Sequence, residues 1–266
     1  MTEFTTAKDG VRIAYEVVGQ GAPVMLVHGF GSSRRQNWQE TGWYTALTGA
    51  GYQVIAMDCR GHGESGKPHE PEAYDHTIMK DDVLAVLDAA GVRPVRLMGY
   101  SMGGYISIHL LMAAPARVER LVIGGVGATY FRDGARGADD APAVRMGNPV
   151  ARDRVADALL VADKSTITDP GARMFRDFAD QPGKDRLALA ACMRAPRRNF
   201  TPAELAGAGA PVLVVCGEND NLTGPPGPLA AAFGNGNAVT VPRRDHMTTV
   251  GDKVYKQAVL KFFENE

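Results

Sequence analysis

Apolar residues gather along this chain in short blocks: PVMLVHG at 23–29, YQVIAMD at 52–58, VRLMG at 95–99, RLVIGG at 120–125, PVLVVCG at 211–217 and AVTVP at 238–242. Such runs suit strands buried on both faces, as in a parallel sheet covered by helices. The amino terminus, MTEFTTAKDGVRIAYEVVG, alternates instead and reads as two strands around a turn at Asp9 and Gly10. Between the apolar runs the period lengthens to that of a helix. DDVLAVLDAAG places Val83, Leu84, Val86, Leu87 and Ala90 on one broad face and stops at a glycine suited to the position just past a helix. A second helix follows Ser101, running from Tyr105 to Ala113 until Pro115, and a third spans Tyr255 to Phe263. Strand and helix in alternation define the α/β class.

The alternation lapses between Gly127 and Leu205, where helix starts appear without strands. Asn148 with Pro149 and Asp169 with Pro170 each pair a capping residue with proline at the first helical position. TPAE at 201–204 forms a capping box from Thr201 and Glu204. The pattern therefore predicts a mostly parallel central sheet flanked by helices, built from residues 1–126 and 206–266, with a helical cap inserted at 127–205. From Tyr130 to Leu205 there are 13 Lys plus Arg against 11 Asp plus Glu, so the insertion is charged with little excess of either sign.

At 266 residues the chain can bury a substantial core. With 29 Lys plus Arg against 30 Asp plus Glu, its net charge of -1 points to neither nucleic acid nor acidic membrane. No apolar run approaches the ~18 residues of a membrane span, and the amino terminus lacks a basic segment followed by an apolar one. A cytoplasmic location and a small-molecule partner are expected. Cys59, Cys192 and Cys216 are odd in number and share no metal-ligand spacing, so they read as reduced core thiols.

The stretch carrying chemistry is GYSMG. Gly99 and Gly103 flank Ser101 at two residues' distance, an apolar run precedes them and a helix follows. A strand that enters a helix through so tight a turn leaves no room beside its central residue. Ser101 would project above the strand end, with the free Met102 N–H at the helix start beside it. A serine nucleophile needs a base, and the base needs an orienting carboxylate. Of six histidines, His246 is the strongest candidate, in a loop after the last apolar run. His28 is expected to shape a turn, and His62 is a loop residue without assigned chemistry. His69 and His76 fall in a polar segment and are expected to be solvated, while His109 is expected to pack within its helix. Glu218 and Asp220 both lie just past a buried run. Asp245 adjoins His246, but neighbours in sequence seldom face each other.

Taken together, VHGFG, DCRGHGES, GYSMGG, GEND and DHM resemble, in order and over nearly the whole chain, the motifs of the α/β-hydrolase fold superfamily, and of a serine-nucleophile, esterase-like member. The resemblance implies Ser101 as nucleophile, His246 as base and Asp220 as its orienter, with Glu218 in reserve. It implies the backbone N–H groups of Phe30 and Met102 as an oxyanion hole. Asp58, Arg60 and Ser65 would be structural, and neither metal nor organic cofactor would be needed.

The implied reaction is acyl transfer from a small soluble carboxylic ester. Lactones, thioesters, carbon–carbon bonds beside a ketone, and a receptor role with little turnover are alternatives open to the same constellation. Halide release and epoxide opening in this superfamily usually use an aspartate at the elbow, and perhydrolase-like members tend to carry proline where Phe30 stands. Met174, Phe175 and Phe178 sit at helical spacing in the insertion, where they would form either lid core or cavity wall.

Overall fold

The structure, a computed structural model, describes residues 1–132 and 149–264. Eight strands form one sheet: β1 (Glu3–Thr6), β2 (Arg12–Val18), β3 (Ala22–Val27), β4 (Tyr52–Met57), β5 (Val95–Tyr100), β6 (Val118–Gly124), β7 (Val212–Gly217) and β8 (Gly236–Val241). Their order is β1-β2-β4-β3-β5-β6-β7-β8; β1 with β2 and β2 with β4 pair antiparallel, and the rest are parallel. This is the mostly parallel sheet that the pattern predicts, in the α/β-hydrolase arrangement that the resemblance implies. The β1–β2 hairpin turns at Gly10, where φ is +87°, as its left-handed position requires.

Helices cover both faces: α1 (Trp43–Gly49), α2 (His76–Ala89) and α3 (Met102–Ala113) come early in the chain. Among the described residues, four α-helices separate β6 from β7: α4 (Pro149–Leu160), α5 (Pro170–Ala179), α6 (Arg186–Arg194) and α7 (Pro202–Leu205). The chain closes with α8 (Gly227–Ala232) and α9 (Lys253–Glu264). The period of two sends alternate residues of β3 to opposite cores: Met25 and Val27 join α2 and α3, while Val24 and Leu26 join Trp38, Trp43 and α9. The insertion helices hold an apolar cluster of their own around Val155, Leu159, Leu189 and Met193.

Several local expectations are met and two are not. Asp169 accepts hydrogen bonds from the Gly171 and Ala172 amides, and Thr201 with Glu204 completes the capping box. Asn148 lies outside the described residues. The three cysteines are buried and free. The α2 helix starts earlier than its apolar face suggests, because Asp75 caps it through the Thr77 amide. His76 thereby falls in the first turn and is buried against Tyr105 and His109, contrary to the solvated position expected of it. β8 is also not buried on both faces: only Val241 is enclosed, since an edge strand has a single neighbour.

Candidate active site

Parallel strands deliver their loops to the same end of the sheet, and the strand order reverses direction between β3 and β5, where α/β sheets open a crevice. Ser101 occupies the turn from β5 into α3 at φ 51° and ψ −117°, a strained conformation for a non-glycine residue. The turn is possible only because of its glycines. A Cβ at Gly103 would lie 2.0 Å from the Val27 carbonyl oxygen, and one at Gly99 would lie 2.2 Å from that of Gly103. The Ser101 N–H donates to the Gly124 carbonyl at 2.7 Å, fixing the turn to the neighbouring strand.

Asp220 follows β7 and His246 follows β8, so adjacent strands bring both beside Ser101. His246 Nε2 lies 3.1 Å from Ser101 Oγ, and its Nδ1 lies 2.8 Å from Asp220 Oδ2. Asp220 is buried, which by itself raises a carboxyl pKa. The His246 and Thr223 hydrogen bonds outweigh that effect and hold it below the usual carboxylate value. Thr223 Oγ1 donates to Oδ2, and the Leu222 and Thr223 amides donate to Oδ1.

The other two acids are engaged elsewhere. Glu218 accepts from the Arg243 amide, and Asp245 accepts from the Met247 and Thr248 amides. Both shape the loop carrying His246. Tyr100 pins the same loop by donating to the His246 carbonyl at 2.5 Å, a contact that sequence gives no signal for.

The loop after β3 packs against the elbow: a Cβ at Gly29 would lie 3.4 Å from the Cβ of Ser101. Its amides are mostly committed within the protein. Gly29 N–H donates to Asn37 Oδ1, Gly31 N–H to His62 Nε2, and Ser32 N–H to the Gly29 carbonyl. Among the described residues, neither the Phe30 N–H nor that of Met102 at the start of α3 has an acceptor.

Two histidines buttress this loop. His28 Nε2 accepts from the Cys59 amide while its Nδ1 bonds the Gly29 carbonyl; His62 Nδ1 bonds the Arg60 carbonyl. Burial pushes His28 down to about 4 and His62 down to about 3, so both are neutral donors at Nδ1 and acceptors at Nε2. His28 thus shapes its turn as expected, and His62 has a positioning task the sequence did not reveal.

Arg60 is buried, with Asp82 bonded at 2.6 Å to both Nε and Nη2 and Asp9 at 2.7 Å to Nη1. Ser65 Oγ donates to the Asp58 carbonyl, and Asp58 pairs with Arg34. These contacts hold the loop after β4. His109 Nε2 bonds the Arg198 carbonyl, a packing role.

Above Ser101 lies a cavity of ≈ 420 Å³. Phe30, Tyr100, His246 and Val250 line it from the sheet side, and Met174, Phe175 and Phe178 of α5 line it from the other. The aromatic cluster in the insertion is therefore cavity wall. Phe175 also meets the Phe30 ring at 5.9 Å, and a Cβ at Gly31 would lie 2.9 Å from Phe178 Cδ1.

A parallel sheet with a strained serine elbow, followed in chain order by an acid and a histidine, defines the class, and the chain belongs to the alpha/beta hydrolase family, whose model matches residues 24–253. Over 119 residues it is 31% identical to epoxide hydrolase 3 of Siraitia grosvenorii, a stretch that is 45% of this chain and 37% of that protein, so the match leaves most of the relative uncovered. In structure it is similar to a hydrolase from Pseudomonas aeruginosa PA01, with a TM-score of 0.78 and 26% identity over 99% of this chain and 98% of that one. It shares its fold with a thermophilic esterase from Thermogutta terrifontis, with a TM-score of 0.74 and 23% identity over 99% and 98% of the two chains.

Proposed function

We propose that the protein is a serine hydrolase that cleaves a small carboxylic ester through an acyl-enzyme. The observation that carries this reading is the unbroken relay from Ser101 Oγ to His246 Nε2 to Asp220 Oδ2, opening on a cavity of ≈ 420 Å³. With Nδ1–H donated to Asp220, Nε2 is left as the proton acceptor. His246 takes the Ser101 proton as Oγ bonds to the ester carbon, and the carbonyl electron pair moves onto oxygen. The Phe30 and Met102 N–H groups, which have no acceptor among the described residues, hold that oxyanion. The tetrahedral species collapses, the alcohol leaves with the proton from His246, and water attacks the acyl-enzyme by the same steps to release the acid.

Serine chemistry also separates this chain from its epoxide-opening relative. A carboxylate that attacks an epoxide carbon forms an ester, which water can cleave. A serine that did so would form an ether and stay alkylated. The cavity volume lies near the lower end of the ~300–1,000 Å³ range of small-molecule sites, which favours a small substrate. In this reading residues 127–205 act as a cap on the body formed by 1–126 and 206–266, with α5 supplying the cavity wall.

The test is release of p-nitrophenol from acetate through octanoate esters, by wild type beside Ser101→Ala. Many turnovers in wild type, lost in the variant, are expected. Turnover retained by Ser101→Ala would remove Ser101 from its role. A fluorophosphonate label carried by wild type that turns over none of these esters would point to another carbonyl substrate.

A further inference from the structure

The rim of the cavity carries polar groups for which the ester chemistry has no use. Gln36, in the helical turn Arg35–Gln39, and Gln181, just beyond α5, both line it. Their amides meet there, Gln36 Nε2 donating to Gln181 Oε1 at 3.1 Å. Behind them Lys184 Nζ donates to Gln36 Oε1 at 3.2 Å and Gln181 Oε1 at 2.9 Å, and stands 3.3 Å from the centre of the Phe178 ring. Three neutral partners thus hold the ammonium, and among the described residues no carboxylate pairs with it.

Two consequences follow from that geometry. Both amide oxygens accept from Lys184, which leaves the two NH₂ groups as the donors of the pair. Of their four hydrogens only the one given to Gln181 has an acceptor among the described residues. The rim therefore combines surplus N–H donors with a cation that has no counter-charge. Burial brings the Lys184 ammonium down to about 8, which leaves it charged at neutral pH. Its charge also helps to keep His28 and His62 neutral. Asp177, the acid that lines the same cavity, is paired with Lys164 at 2.8 Å.

We propose that Gln36 and Gln181, oriented by Lys184, form a carboxylate-binding subsite, so that the preferred ester carries a free carboxylate remote from the scissile carbonyl, as in a half-ester of a dicarboxylic acid. This deepens the ester-hydrolase reading and rests on it for the identity of the scissile bond. Lys184 acts through the two amides and is a positioning residue, Phe178 serving as its apolar support.

The experiment compares kcat/KM for p-nitrophenyl half-esters of succinate, glutarate and adipate with their methyl-capped counterparts, and for 4-carboxyphenyl acetate with methyl 4-acetoxybenzoate. Wild type is expected to prefer the free carboxylate in at least one half of the substrate, chiefly through KM. That charged-to-neutral ratio should fall about tenfold or more in Gln181→Leu, the loss of a hydrogen bond to a charge, fall likewise in Lys184→Met, which releases both amides from their orientation, and recover in Lys184→Arg. Melting temperatures establish that the variants are folded. A ratio of one or less in both series, or one that Lys184→Met leaves unchanged, overturns the subsite while the hydrolase reading stands.

Binding separates the two failures. Calorimetric titration of Ser101→Ala with monomethyl glutarate against dimethyl glutarate should show a preference for the acid that Lys184→Met removes. Such a preference supports the subsite even where no ester is turned over. Equal binding of the two overturns it.

Discussion

Acidification should destabilise this protein through its buried imidazoles, above the range in which most of its carboxylates titrate. His28 and His62 are fully enclosed, with folded values of about 4 and about 3 against 6.5 for a solvated ring, burial being the main cause in each. Both folded values are depressed, so the unfolded chain binds these two protons first as pH falls. The stability due to the neutral rings is complete above the unfolded value and is lost progressively as pH drops from 6.5 towards the folded values.

Between pH 7.5 and 5.5 each ring accounts for about 1.3 kcal/mol, and the pair for about 2.7 kcal/mol, a large share of a typical ~5–15 kcal/mol domain stability. His76 and His109 are shifted in the same direction by burial and add to the loss. Protonating His62 also removes the acceptor of the Gly31 N–H, so the loop after β3 should loosen together with global stability. Urea unfolding at the two pH values, followed by the fluorescence of buried Trp38 and Trp43, measures the effect. His62→Gln keeps a group able to accept from Gly31 but cannot gain a proton, and should reduce the pH-dependent loss by about 1.3 kcal/mol. A wild-type stability that is flat between pH 7.5 and 5.5, or a His62→Gln variant with the wild-type slope, would refute the reasoning.

Four further outcomes follow from the same contacts. Asp220→Asn keeps the shape but favours the wrong His246 tautomer, and should lower kcat by about 10⁴, measured as p-nitrophenyl ester turnover with the melting temperature as control. Gly103→Ala puts a methyl group 2.0 Å from the Val27 carbonyl, which neither strand nor helix can yield. It should cost upwards of ~3 kcal/mol and yield little folded protein, as circular dichroism would report. Tyr100→Phe removes the bond to the His246 carbonyl, and should cost about 1 kcal/mol in urea unfolding; an unchanged midpoint would show that the bond contributes nothing. Phe178→Ala enlarges the cavity on its α5 side, so the preferred acyl chain in a series from acetate to octanoate should lengthen.

Much of the site could be read before any contact was known, because backbone chemistry imposes it locally. The elbow needs glycine on either side of Ser101, and only those residue types permit the turn. The acid and histidine loops were visible as polar turns after buried runs. Among Glu218, Asp220 and Asp245 the local pattern alone does not discriminate, since each is an acid in a polar turn, and the choice of Asp220 rests on the family resemblance. Side-chain direction after β7 decides, sending Glu218 and Asp245 to backbone amides and Asp220 to His246. His76 departs from expectation for a related reason: its polar neighbours in sequence are not its neighbours in space, and the Asp75 cap turns it into the core.

The strand and helix blocks, the mostly parallel class of the sheet, the helical segments between β6 and β7 and the tight turn at Ser101 are legible in the sequence alone. Each depends on periodicity or on the sterics of a few adjacent residues. What surrounds Ser101 is set by packing between distant parts of the chain. The pairing of His62 with the Gly31 amide, the facing of Phe178 onto the cavity and the meeting of Gln36, Gln181 and Lys184 join residues 31 to 148 positions apart. No local rule encodes such contacts. They exist because the sheet brings its strand ends together and the insertion packs across them.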